Sequence, residues 1–147
     1  MEQATYAAGS TINALLDELL ATRGPAGAIG GIVDHWKQVL TASDYAMGCP
    51  ILAAAQSGPG EPTVQAASAA VFATWVDGLA IALVDSGIAP AATRSLASMS
   101  VSAIEGAIAQ CRSARTTQPL DDVRAALTSL IDTSLSTELP KLARGRR

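Results

Sequence analysis

Histidine and phenylalanine each occur once in the 147 residues, and tryptophan, tyrosine and cysteine twice each. One histidine, His35, and two distant cysteines, Cys49 and Cys111, do not make a zinc site, which needs three or four such ligands converging. No glycine-rich loop with a following lysine is present to cradle phosphates, and no Gly-x-Ser-x-Gly elbow to carry a nucleophile. No enzyme and no cofactor are expected. A basic surplus is also lacking. Thirteen acids against ten bases leave a net charge of −3, and four of the bases, Lys141, Arg144, Arg146 and Arg147, crowd the last seven residues. A chain that binds nucleic acid by itself carries the opposite balance, because neutralised phosphates drive that binding. The residues after Met1 lack the basic and apolar regions of a secretory leader. Both thiols are therefore expected reduced, in a cytoplasmic protein.

Alanine is abundant, and half of the chain is hydrophobic although only 3% is aromatic. Alanine is the best helix former, and a chain of this length buries about 70% of its unfolded surface without staples. Glycine and proline divide the sequence into amphipathic segments with apolar spacings of three and four. The first runs over about 4–22, with Ile12, Leu15, Leu16, Leu19 and Leu20, and Gly24-Pro25 ends it. The second, about 26–41, carries Ile29, Ile32, Val33, Trp36, Val39 and Leu40; its Gly30-Gly31 marks a close contact, a bend or a late start. A loop over 42–50 and a short helix over about 50–56 follow. Long helices are predicted from Pro62 to about 86, with Gly87 as C-terminal cap, from Pro90 to about 115, and from Pro119 to about 135. Pro140 bounds the last, and 137–147 reads as a frayed basic tail. No run alternates with the period of a strand. The predicted fold is all-α, an irregular bundle of five or six helices, with one domain over 1–136.

Residues 64–84 are apolar enough to raise the question of a membrane span. Asp77 within them costs roughly 2.5–3.5 kcal/mol at a bilayer centre, so a buried helix of a soluble protein is expected, with no membrane partner.

Trp36, Met47, Cys49, Phe72, Trp75 and Met99 are the larger side chains available to line a cavity, the alternative being plain core packing. Glu105, among small and apolar neighbours, either orients a ligand or pairs with Arg112 or with an arginine of the last helix. His35 is a helix-face residue at the edge of a core rather than a catalyst; a small helical enzyme built on His35, Glu105 and Asp44 ranks far last.

The order of signals from 43 to 131 carries more information than any one of them. Gly48-Cys49-Pro50-Ile51 leads into small residues. A long helix with Phe72 and Trp75 closes at Gly87-Ile88. An alanine-rich helix holds Ile104-Glu105-Gly106-Ala107 and Arg112, and Pro119-Leu120-Asp121 opens the last. This resembles the C-terminal half of one subgroup of tetracycline-repressor (TetR) family regulators, related to those of multidrug- and lincomycin-resistance genes. Residues 4–41 fit the two helices that precede Gly-Cys-Pro in that subgroup. The resemblance implies a helical domain that binds a small apolar effector among the helices at 4–22, 26–41, 62–86 and 90–115. It also implies a homodimer through the last two helices. Ala103, Gly106 and Ala107 on one, and Leu120, Val123, Leu127, Leu130 and Ile131 on the other, suit such an interface. Family members carry about fifty further N-terminal residues as a helix-turn-helix that enters the major groove. DNA binding is expected only when that element is supplied. The alternative is a headless module that pairs with a full-length relative and modulates it.

Overall fold

The computed structural model describes residues 1–144, with side chains through Thr137. The basic side chains of the predicted tail thus lie outside the described residues. The elements are α1 (Glu2–Ala42), α2 (Pro50–Ala55), α3 (Pro62–Asp85), α4 (Pro90–Ala114) and α5 (Gln118–Arg144), with no strand among the described residues. The all-α bundle is as predicted.

The starts follow local chemistry. Pro50, Pro62 and Pro90 each open a helix, where the missing N–H costs nothing and the fixed φ is already helical. At the end of α3, Gly87 takes φ 101° and the N–H of Ile88 donates to the Leu83 carbonyl, the six-to-one bond of a Schellman cap. α4 ends instead on Arg115 in the left-handed region, at φ 53° and ψ 45°.

Two boundaries differ from the sequence reading. The first two predicted helices are the arms of one bent helix, joined at Gly24 with φ 67° and ψ −177°. Pro25 tolerates this because it stands in the first turn of the second arm, where a proline loses no hydrogen bond. The last helix continues past Leu135 and through Pro140 to Arg144, since a proline removes one backbone bond and the chain can carry the helix around it.

The bend returns the second arm over the first. A Cβ at Gly31 would stand 2.6 Å from a Leu19 methyl, so the second glycine of the pair marks a close contact, whereas Gly30 has nothing within 4 Å. Gly9 makes a comparable approach to α3, where a Cβ would lie 2.7 Å from Val71. Val71 is branched at Cβ and has little rotamer freedom to retreat. Gly9→Val is therefore expected to destabilise by about 1–3 kcal/mol, and chemical denaturation would show a lower midpoint at unchanged slope.

α1 packs on α3, α4 and α5, and α3 on α2 and α4. The core is one cluster in which Ala28, Val33, Leu40, Ile51, Leu83, Ala97, Cys111 and Leu120 are fully buried. Two ion pairs fasten α1 to α5: Lys37 Nζ to Asp121 Oδ1 at 2.7 Å, and Arg124 to Asp34, with Arg124 also donating to the Gly30 carbonyl. α3 is long and apolar enough to cross a membrane by length and composition, but 39% of its most apolar stretch is buried in the bundle. Its Asp77 pairs with Arg94 at the surface.

Candidate functional site

An internal space of about 40 Å³ lies between the two arms of α1, α3 and α4. The first arm supplies Ile12 and Leu16, the second Ile29, Ile32 and Trp36, α3 Trp75 and Leu79, and α4 Val101, Ile104 and Glu105. The bend at Gly24 places both arms of α1 on this one space. Helical periodicity marks nearly all of these residues as apolar-face positions, which in sequence look the same whether they fill a core or surround a hollow.

Of the six predicted lining residues, only Trp36 and Trp75 line this cavity. Phe72 lines an outer groove, its ring edge-on to Trp75 at 5.4 Å. Cys49 is buried close by, at the α2 start. Met47 and Met99 stand away from this cavity: they are 60% and 43% exposed, Met47 on the loop before α2 and Met99 on the outside of α4. Size and hydrophobicity argued for the interior. But the loop turns through left-handed Asp44 and Tyr45, and α4 reserves its inner face for Leu96, Ser100 and Ile104.

Among the described residues Glu105 is the only charged one on the cavity wall. It is 7% exposed, and its Oε2 has no hydrogen-bond partner. Among the described residues neither predicted ion pair forms. Arg112 donates to the Ala46 carbonyl at 3.0 Å, and Arg124 turns to Asp34. Burial raises the Glu105 carboxyl to about 7, against a smaller downward pull from the neighbouring Cys49 thiol. Burial and the adjacent Glu105 charge push Cys49 up to about 12, so it remains a thiol at neutral pH. The Nε1–H of Trp75 is a second buried polar group without a partner.

The short motifs acquire physical meaning here. A Cβ on Gly48 would meet the Arg112 side chain at 2.8 Å, so Gly48 lets Arg112 pass to the loop carbonyl. Cys49 meets Glu105, and Pro50 starts α2. Arg115 holds the same loop, donating to Asp44 Oδ1 at 2.6 Å and lying 5.6 Å above the Tyr45 ring. This pairing keeps the exposed Asp44 below its usual range. Gly-Cys-Pro and Glu-Gly-Ala…Arg are thus two halves of one junction between the α1–α2 loop and α4.

Val101 and Glu105 also line a groove of about 540 Å³ on the outside, between α2, α3 and α4, with Leu52, Phe72, Val76 and Gly106. These two residues are the partition between groove and cavity. His35 is half-buried, with its ring edge-on to Trp36 at 5.4 Å and its pKa lowered by burial. It does not line the cavity, and Asp44 is paired at the surface, so the three residues of the enzyme reading are not brought together.

The eight predicted interface residues divide. Ala107, Leu120, Leu127 and Ile131 are at most 3% exposed and belong to the core. Gly106 faces the groove with α3. Ala103 and Val123 are half-buried, and Leu130 is 41% exposed. A helix in sequence shows its apolar face but not what that face covers.

Residues 25–126 match the family described as LmrA/YxaF-like transcriptional regulators, C-terminal domain. Two relatives from Mycobacterium tuberculosis, of strains CDC 1551 / Oshkosh and ATCC 25618 / H37Rv, are each described as an uncharacterised HTH-type transcriptional regulator. Each is 33% identical over 143 residues, covering 93% of this chain and 70% of the relative. No solved structure matches. The chain belongs to the TetR-type transcriptional regulators, and its residues 25–126 are an LmrA/YxaF-like C-terminal domain.

Proposed function

We propose that this domain is the effector-sensing and dimerising part of a repressor acting in the cytoplasm, DNA being reached through a helix-turn-helix. The carrying observation is the apolar cavity bounded by both arms of α1, by α3 and by α4, with one carboxyl in its wall. Such a space between bundle helices is where small ligands bind. At about 40 Å³ it accommodates only water-sized groups. An effector must therefore extend beyond this space or select an arrangement in which the arms of α1 stand further from α3 and α4, and its differential affinity for one arrangement is what transmits the signal.

The dimer face is the shared outer flank of α4 and α5. Met99 and Ala103 lie one turn apart on α4, and Val123, Ala126 and Leu130 fall at the three- and four-residue spacings of one α5 stripe. Large exposed apolar residues on two adjoining helices fit a self-complementary interface better than an isolated surface. Sedimentation equilibrium at micromolar concentration is expected to give near twice the chain mass. Leu130→Arg, which places a charge on the flank without entering the core, is expected to give the monomer with the same helical circular dichroism. A monomeric wild type would refute this assignment.

A further inference from the structure

We propose that Glu105 anchors the ammonium group of a lipophilic amine, whose hydrocarbon body lies in the groove between α2, α3 and α4. This rests on the effector-site reading above and names the chemical class of the effector. The first ground is the orphaned Oε2. A buried carboxylate with one oxygen unpartnered and no cation beside it is costly, and a cation that arrives with its own apolar body supplies the missing partner without bringing water. The second is position. Glu105 and Val101 form the wall common to the inner cavity and the groove, so a head group at Glu105 can be inside while its chain is outside. The third is the surroundings. Trp36 and Trp75 stand in the inner wall, where an indole within reach of a cation adds to its binding, and Leu52, Phe72 and Val76 line the groove. Among the described residues neither space has a basic lining residue, so an anion finds no partner there, and a plain hydrocarbon leaves the carboxylate unmet.

The charge on Glu105 is set locally. From the α1–α2 loop only the Cys49 thiol acts on it; the lining residues of α1, α2, α3 and the rest of α4 carry no titratable group. A carboxyl poised near neutrality is ionised by an approaching ammonium, and amine binding should strengthen as pH rises through that range.

The test uses decylamine, decanol and decanoate below their micellar concentrations. The readout is the emission of Trp36 and Trp75, which are the chain's two tryptophans and both stand in the cavity wall. At about pH 8 decylamine is expected to bind at least about ten-fold more tightly than decanol, with decanoate weakest. At about pH 5.5, with Glu105 protonated, that advantage should largely vanish. Glu105→Gln should bring decylamine to the decanol level at both pH values while leaving decanol unchanged. Gly106→Phe, whose side chain starts from open space in the groove, should weaken both amine and alcohol without lowering the thermal midpoint. If amine and alcohol bind alike, or if Glu105→Gln keeps the amine advantage, the amine assignment is overturned and the effector site stands. If no probe alters the emission, both fall.

Discussion

Gly24→Ala is expected to destabilise the fold by about 1–3 kcal/mol, while Gly30→Ala, six residues further on, is expected to stabilise it by about 0.4–1 kcal/mol. The two glycines share a helix in sequence and differ only in backbone conformation. At φ 67° and ψ −177°, Gly24 occupies a region essentially closed to residues with a Cβ. No atom lies within 4 Å of where that Cβ would be, so the cost is purely one of backbone strain. Gly30 has helical angles and equally open surroundings. Alanine there loses less chain entropy on folding and gains helix propensity. At about 2–4 °C per kcal/mol for a domain of this size, thermal melts should separate the two variants clearly and in opposite directions. The bend also sets how Ile12 and Leu16 face Ile29, Ile32 and Trp36 across the cavity. Equal and small effects from both substitutions would show that the bend is not held by Gly24.

The same contrast explains what was legible in the sequence. Pro50, Pro62, Pro90 and Gly87 act within one or two residues of themselves, so the starts of α2, α3 and α4 and the end of α3 could be placed from local chemistry. Gly24-Pro25 has two readings, a stop or a hinge, and the choice depends on whether Leu19 finds Gly31 across the bend, which is a tertiary contact. Which apolar residues of α5 are covered within the chain is illegible for a related reason. Leu127 and Ile131 differ from Leu130 by a fraction of a helical turn, and only the position of α1 and α4 decides which of them is covered. Side-chain type, the one feature that singles out Met47 and Met99 in sequence, carries no information about direction. Glu105 was identifiable as an anomaly, an acid among alanines and isoleucines. Its unpartnered oxygen was not, because Arg112 or an arginine of the last helix could have met it; the fold sends Arg112 to Ala46 and Arg124 to Asp34.

Glu105→Gln is expected to raise stability at neutral and alkaline pH and to have a much smaller effect, or the opposite one, in acid. The folded chain holds this carboxyl at about 7, against 4.5 for an ordinary glutamate. Between those values the folded state keeps a proton that the unfolded state has released, so stability falls as pH rises through this window. Below it both states are protonated and nothing is lost. Above about 7 the penalty is complete, and the difference corresponds to roughly 3 kcal/mol. Glutamine has nearly the same shape and cannot ionise, but it leaves an amide in the same wall, at a cost of about 1–3 kcal/mol that does not depend on pH. The diagnostic is therefore the change in the gap between the two melting curves. From about pH 4 to pH 8 the variant should gain roughly 6–12 °C relative to wild type. Parallel pH profiles would mean that Glu105 ionises normally and has no need of a partner. A gap that opens as expected, and that closes when decylamine is added to the wild type, would tie the cost of the buried charge to the ligand that relieves it. A regulator domain that is strained until its effector arrives has in that strain the differential affinity its signal requires.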